Sequence, residues 1–521
     1  MTPFAHLLET LAFTPGRNAK LAHLQHFFAQ TPDPDRGWAL AALAGTLDLP
    51  HVTSSVIRAL VEERVDPVLF RLSYDYVGDL AETVALLWPG KGNGTPPTLD
   101  EVVGSLRMAG RTDRAAVLAQ LLERLDGSGR YALIKLCTGG MRVGVSTRLV
   151  QTALAGPDHP LEDITEMWFG LEPPYLPLFA WLDGGARPDL DLSLAFRPVM
   201  LATPLDEARL ADMVPAQFVA EWKWDGIRVQ AVATPEGRRL YTRTGEDISA
   251  AFPDVIDRMD WHACLDGELL VRAGADVAPF ADLQKRLNRK RVTAKMMAER
   301  PAMIRVYDIL EEDGEDLRPL PLETRQARLA AWVGRVRPGG VDLSAPIAFD
   351  DWAELSALRA GARDDALEGL MLKRRDAPYV AGRPVGPWFK WKRDPLEADC
   401  VLMYAQRGHG KRSSYYSDYT FGAWVDGPEG RRLLPVGKAY SGFTDEELVR
   451  LDKWVRANFT ERFGPVRGVR PGLVLEVVFD AVQASPRHKS GLAMRFPRIR
   501  RIRWDKPIEE AATVADIRAL I

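Results

Sequence analysis

Residues 221 to 228 read EWKWDGIR, a strand-like run that ends near Lys223, turns through Asp225-Gly226 and resumes at Ile227. A lysine stands at the mouth of that strand. Lysine can lose its proton and attack, which arginine cannot. With an unperturbed pKa of ~10.4, only about one in 2,500 is neutral at pH 7, so a nucleophilic lysine needs apolar or cationic neighbours. Both are on offer, because Trp222 and Trp224 flank it, and in WFKWK the period of two puts Lys390 and Lys392 on one strand face, opposite Phe389 and Trp391. Two such cations would also grip a polyphosphate and offset the charge on a pyrophosphate leaving group. A charged hairpin turn would write the same KxDGxR pattern. Composition bears on the choice: lysine supplies 15 of the 68 basic residues, yet positions 223, 390 and 392 are all lysine.

Carboxylates come next. LDGEL places Asp266 and Glu268 on one strand face and EGLMLK supplies Glu368; such oxygens, joined by substrate phosphates, are how Mg²⁺ is held, although strand carboxylates are also commonly just exposed. Tyr307 in RVYDIL has a ring that could stack on a base or fill a core. Near the end, RFPRIRRIRWDK carries Arg495, Arg498, Arg500, Arg501, Arg503 and Lys506 among Phe496, Ile499, Ile502 and Trp504, the pattern of an ordered segment that presents arginines to phosphate. RGHGKRSSYYSDYTF mixes Arg407, His409, Lys411 and Arg412 with tyrosines, which suits a nucleic-acid backbone groove or a basic hairpin.

These groups need a scaffold of several parts. A chain of 521 residues, 46% hydrophobic and 27% charged, has ordinary globular usage, and at ~150 residues per domain about three domains are expected. The opening MTPFAHLLETLAF lacks a basic leader, no ~20-residue apolar run occurs, and Cys137, Cys264 and Cys400 form no CxxC pair, so an intracellular protein without disulfide or zinc framework is expected. The net charge is -3, but from Asp394 onward 21 Lys and Arg face 17 Asp and Glu, a local positive field suited to phosphates. Residues 1 to about 180 carry helical periodicity, as in AKLAHLQHFFAQ and DRAAVLAQLLERL, with a capping box at Thr98–Glu101 after the loop PGKGNGTPP. DGGARPDLDLSLAFRPVM reads as a linker, the middle third as α+β, and the part after Asp394 as strands around one helical insert, TDEELVRLDKWVRANF, suggesting a small barrel.

In order, KWDGIR, TRTGED, LDGEL, VYDIL, EGLMLK, WFKWK and RFPRIRRIRWDK resemble the motif series of the covalent nucleotidyltransferases, most closely that of ATP-dependent DNA ligases, and YALIKLCTGGMRVGVS is similar to the signature of their helical DNA-binding domain. The detailed flavour resembles three-domain bacterial repair ligases. The resemblance implies a helical DNA-binding domain over 1–190, an ATP-grasp-like α+β adenylyltransferase domain over 196–393 and an OB-fold β-barrel over 394–521. It implies nick sealing in duplex DNA through lysyl-AMP, using ATP and Mg²⁺ or Mn²⁺, in repair or recombination.

By the same resemblance Lys223 is the nucleophile and Glu221 reads adenine. Tyr307 and Met371 sandwich the base, Arg228 and Glu268 hold the ribose, and Arg243, Arg383, Trp388, Lys390 and Lys392 complete the ATP or AMP site. Glu268 and Glu368 serve the metal, while Arg498, Arg501, Arg503, Asp505 and Lys506 orient pyrophosphate. Lys135, Gly140, Arg142, Arg407, Lys411 and Arg412 would meet DNA. A monomer encircling nicked DNA, with no membrane partner, in the cytoplasm and near the nucleoid, is the expected setting. Two departures stand out: the family often has Phe at the place of Tyr307, whose hydroxyl then needs a partner, and Arg383 precedes WFKWK with one extra residue of spacing. Capping guanylyltransferases and RNA ligases share the lysine chemistry but lack the helical signature, and an inactive DNA-binding scaffold would show gaps among these positions.

Overall fold

A computed structural model describes every residue except 50, 51, 275, 288, 290, 291, 362–365, 408–414, 428, 429, 464, 465, 486, 487 and 521. Its chain divides into two compact units: Leu154–Asp394, and a second made of Met1–Ala153 with Pro395–Ile521.

From Met1 to Ala153 the described residues hold helices and no strand. Arg17–Gln30 buries Leu24, Phe27 and Phe28, and Arg114–Arg124 buries Leu118, Leu121 and Leu122, which is the apolar stripe that the periodicity predicts. Half of the expected capping box forms. Thr98 Oγ1 accepts from the Glu101 backbone N–H at 3.0 Å, but the Glu101 carboxylate turns to Arg124 at 2.6 Å. Thr444 and Glu447 complete both halves at the helix Asp445–Ala457.

Leu154–Asp394 begins with two helices, Leu161–Met167 and Leu176–Leu182, so the helical stretch read as one domain to 190 is divided after Ala153. An aromatic chain accounts for this, with the Phe169 ring edge-on to Phe196 and Phe196 edge-on to Tyr241. Two sheets follow. The first contains β1 (Phe218–Trp224), β6 (Leu367–Arg374) and β7 (Trp388–Lys392), with β6 between the others and antiparallel to both. The second contains β2 (Ile227–Thr234), β3 (Gly237–Thr242), β4 (Ala263–Ala273) and β5 (Ala302–Glu312) in the order β3-β2-β4-β5.

Each sheet packs one face against a helix. Phe218, Ala220, Leu370, Leu372, Phe389 and Trp391 of the first pack with Leu355 from the helix Trp352–Gly361, and Val229, Leu265, Ile304 and Ile309 of the second pack with Leu329 and Trp332 from Leu322–Val336. Burial at about 1.5–3 kcal/mol per large apolar side chain makes these faces the source of sheet stability. The opposite faces carry the polar residues beside a smaller buried apolar cluster of Met200, Val232, Cys264, Leu310, Tyr379 and Trp388.

The C-terminal segment forms a sheet in which β8 (Leu396–Arg407) pairs with β9 (Tyr416–Gly427), and β9 with β10 (Gly430–Ala439). β8 also pairs with Val466–Val469 and with Val474–Phe479, and the latter pairs with Arg498–Arg503. The segment resembles an OB-fold half-barrel. No helix among the described residues is long and apolar enough to cross a membrane.

Candidate active site

The strand registers write a small array of side chains across the first sheet. Lys223 on β1 lies opposite Gly369 on β6, which lies opposite Lys392 on β7; one row away, Glu221 lies opposite Met371 and Met371 opposite Lys390; the third row is Val219, Lys373 and Trp388. With a period of two, all nine share one face. Trp222 alternates to the apolar face, and the Trp224 ring stacks under Arg305 at 4.1 Å, so the tryptophans do not form the apolar shield expected around Lys223. Charge surrounds it instead. Lys390 is held below the ordinary lysine range by burial and by the cations Arg383, Lys392 and Lys223.

A bulge aims the key carboxylate. The register shifts between Leu367 and Gly369, leaving Glu368 as the extra residue on β6. Its Oε2 reaches Lys223 Nζ at 2.5 Å and Lys392 Nζ at 3.4 Å. Gly369 sits at φ +137°, and a Cβ there would lie 2.3 Å from the Trp391 carbonyl oxygen, so only glycine lets β7 close on β6 at this row.

β1 and β2 do not pair, which removes the hairpin reading of KxDGxR. The Asp225-Gly226 turn crosses from the first sheet to the second, and a Cβ at Gly226 would meet the Leu269 carbonyl oxygen at 2.6 Å. Arg228 is the second residue of β2, opposite Glu268 on β4. Burial pushes the Glu268 carboxyl up to about 8, against the pull of Lys223 and Arg228, and Glu368 adds to the rise.

Asp266 was a candidate metal oxygen. It is instead fully buried and saturated: Arg228 donates to both its oxygens, at 3.0 and 2.6 Å, Tyr379 donates at 2.6 Å and Tyr307 at 3.1 Å. Tyr307 is itself a bulge residue, skipped between the pairs Asp266↔Asp308 and Gly267↔Val306. No cluster of three His, Cys, Asp or Glu ligands occurs among the described residues. Glu268 and Glu368 still suit Mg²⁺, which commonly takes one or two carboxylates and completes its shell with phosphate and water.

Sequence reasoning missed Lys373, Gln326 and Tyr379. Lys373 is buried, with Nζ 3.1 Å from both Glu221 oxygens and 4.2 and 4.8 Å from the ring centres of Tyr307 and Trp388. Gln326 donates to Glu221 at 2.8 Å. Lys373 had a signal, since it stands two residues after Met371 and is one of few lysines. Tyr379 lies in a loop with no periodicity to read.

The remaining candidates scatter. Trp388 is a buried residue packed edge-on to Tyr379. Arg243 and Arg383 are exposed, and Arg383 is near enough to Lys390 to act on its charge. Arg498 is exposed in its strand; Arg501 pairs with Glu476 at 3.3 Å, Arg503 with Asp505 at 3.0 Å and Lys506 with Asp399 at 2.7 Å, so the arginine stretch is ordered.

Lys135 requires correction as a DNA contact: it is buried and ion-paired with Asp79 at 2.6 Å. Gly140 follows the helix Gly127–Thr138, and Arg142 is exposed with φ +44° in a loop whose Val143 and Gly144 carbonyls accept from Lys20 Nζ. Arg407 is half-buried beside the Tyr416 ring. His409, Lys411 and Arg412 lie outside the described residues.

Three family models match the chain: DNA ligase N terminus over residues 2–155, ATP dependent DNA ligase domain over 199–392, and ATP dependent DNA ligase C terminal region over 412–506. A "Probable DNA ligase" of Koribacter versatilis (strain Ellin345) is 33% identical over 99% of this chain and 95% of its own length. A "Probable DNA ligase" of Anaeromyxobacter dehalogenans (strain 2CP-C) is 30% identical over 100% of this chain and 99% of its own. The solved structure named Pmar-Lig_Pre shares the fold, with a TM-score of 0.62 at 16% identity, covering 96% of this chain and 99% of that one.

Proposed function

The chain belongs to the ATP-dependent DNA ligase family, and from that premise we propose that Lys223 Nζ attacks the α-phosphorus of ATP to give lysyl-AMP and pyrophosphate. The enzyme seals nicks in duplex DNA at the expense of ATP. In the proposed sequence AMP then passes to the 5′-phosphate of the nick, and the 3′-hydroxyl displaces it.

The observation that carries this reading is the row Lys223–Gly369–Lys392 with Lys390 beside it, three amines on one sheet face around the re-aimed Glu368. Lys390 and Lys392 hold the phosphates and stabilise the charge that builds on the leaving oxygens. Glu368 Oε2, in contact with Nζ, orients the amine and is an acceptor for the proton it must shed. Glu268 and Glu368 would hold Mg²⁺ or Mn²⁺, which supplies charge neutralisation at the phosphates when bound. Tyr307 and Met371 take the base, Glu221 reads it, and Arg228 with Glu268 takes the sugar. Arg243, Arg383 and Trp388 belong to the nucleotide site or its edge, and Arg498, Arg501, Arg503, Asp505 and Lys506 to the pyrophosphate step. Arg142, Gly140, Arg407, Lys411 and Arg412 serve DNA.

The two sheets closing on one nucleotide are the ATP-grasp-like element of this proposal. The domains follow as 1–153, 154–394 and 395–521, the helical boundary moved from 190 to the division after Ala153, acting as a monomer around nicked DNA near the nucleoid, in repair or recombination.

Incubation with α-labelled ATP or GTP and Mg²⁺, followed by denaturation, tests the reading. Label from ATP on the wild type, lost in Lys223→Ala, is expected. Label from GTP alone would move the protein to capping chemistry, and label from neither would leave a non-catalytic scaffold.

A further inference from the structure

Asp266 gathers four donors in a fully buried position, and they come from parts of the chain far apart in sequence. Arg228 Nε donates to Oδ1 at 3.0 Å and Nη2 to Oδ2 at 2.6 Å. Tyr307 donates to Oδ1 at 3.1 Å and Tyr379 to Oδ2 at 2.6 Å. Tyr379 also accepts from Arg228 Nη2 at 3.1 Å, and Nη1 donates to the Met200 carbonyl at 2.7 Å. These bonds occupy four of the five N–H groups of a guanidinium and leave one, on Nη1, for a ligand.

We infer that Tyr379 and the hydroxyl of Tyr307 are positioning groups of the nucleotide site, which lock the Tyr307 ring and the Arg228 guanidinium into one unit through Asp266. The inference rests on the ATP-site reading above and deepens it. Under that reading the ring meets the base and the guanidinium meets the sugar, so the two contacts are set together rather than separately. Tyr379 is suited to the task because it is itself held. Its backbone N–H donates to the Arg318 carbonyl at 2.8 Å, and its ring lies edge-on to Trp388. Burial keeps both phenols protonated, so both remain donors to the carboxylate. A phenylalanine at 307 would keep the stacking face but lose the tie.

Single-turnover self-adenylation of the full chain, measured against ATP, 2′-deoxy-ATP and 3′-deoxy-ATP, tests this. Tyr379→Phe should raise the half-saturating ATP concentration about tenfold, the typical cost of losing a hydrogen bond to a charged group, with the maximal rate changed less than about twofold. Its preference for ATP over the deoxy analogues should shrink, because the sugar contact loosens. Tyr307→Phe, which preserves the ring, should also raise half-saturation, and the double variant should cost less than the two single losses combined, since both act through one carboxylate. Half-saturation and sugar preference equal to wild type in both single variants would overturn the inference, whatever their melting temperatures. A fall in maximal rate alone would do the same. Absence of label on the wild-type protein would instead sink the ATP-site reading beneath it.

Discussion

Glu368 Oε2 lies 2.5 Å from Lys223 Nζ, although strict alternation along β6 would turn Glu368 to the opposite face of the sheet. The bulge at this residue supplies the difference, and the carboxylate owes its contact with the Lys223 amine to an irregular step in its own strand. Lys223→Arg should keep the ion pair and lose adenylyl transfer completely, because a guanidinium does not deprotonate. Intact-protein mass after incubation with ATP and Mg²⁺ checks it: the wild type gains one adenylyl group and the variant none. Glu368→Gln should slow the same step by about 10²–10⁴-fold, the range for loss of a positioned proton-transfer group.

Gly369→Ala should destabilise the first sheet by about 2–4 kcal/mol, since a Cβ would press on the Trp391 carbonyl at a φ that side chains avoid. Urea unfolding measures this directly. Wild-type stability in the variant would mean that the strands can separate freely at this row.

Glu268 carries a pH dependence with a definite sign. Burial raises its folded-state value from 4.5 to about 8, so between those values the folded chain binds more protons than the unfolded one, and stability falls as the pH rises through the window. Glu268→Gln should flatten that slope, read as the difference in unfolding free energy between about pH 5.5 and about pH 8. Self-adenylation at limiting metal should rise over the same range if the ionised carboxylate holds the cation.

Lys135 and Lys20 separate packing from DNA contact. Lys135→Met should cost stability, about 2–4 kcal/mol, by stranding Asp79, while nick affinity measured on the folded fraction stays within about twofold. Lys20→Ala should do the reverse. It releases the Val143 and Gly144 carbonyls and loosens the loop that presents Arg142, so binding to nicked duplex weakens. Arg142→Ala should weaken it too and reduce the salt dependence of binding by about one counterion.

The sequence made the reagents readable and the helical, mixed and strand-rich parts separable, because residue type and periodicity carry that information. KWDGIR, LDGEL, EGLMLK and WFKWK name the groups that meet in the first and second sheets. Two things escaped. Counting by twos cannot detect the bulges at Tyr307 and Glu368, each of which redirects the side chain that matters. Nor can a motif reveal what saturates a group: Asp266 reads as a free carboxylate until Tyr379, more than a hundred positions away, is brought against it. Lys135 reads as a cation for phosphate until Asp79 claims it.

The Asp225-Gly226 turn joins two sheets that share no ladder between β1 and β2, and Gly226 is wedged against the Leu269 backbone. The amine at 223 proposed to attack and the guanidinium at 228 proposed to hold the sugar are thus mounted on opposite sides of a seam only a few peptide units wide. Under the proposed function, slippage along that seam would appear at once as misalignment between a phosphorus and its nucleophile, and the turn that resists it includes one residue that has no side chain to adjust.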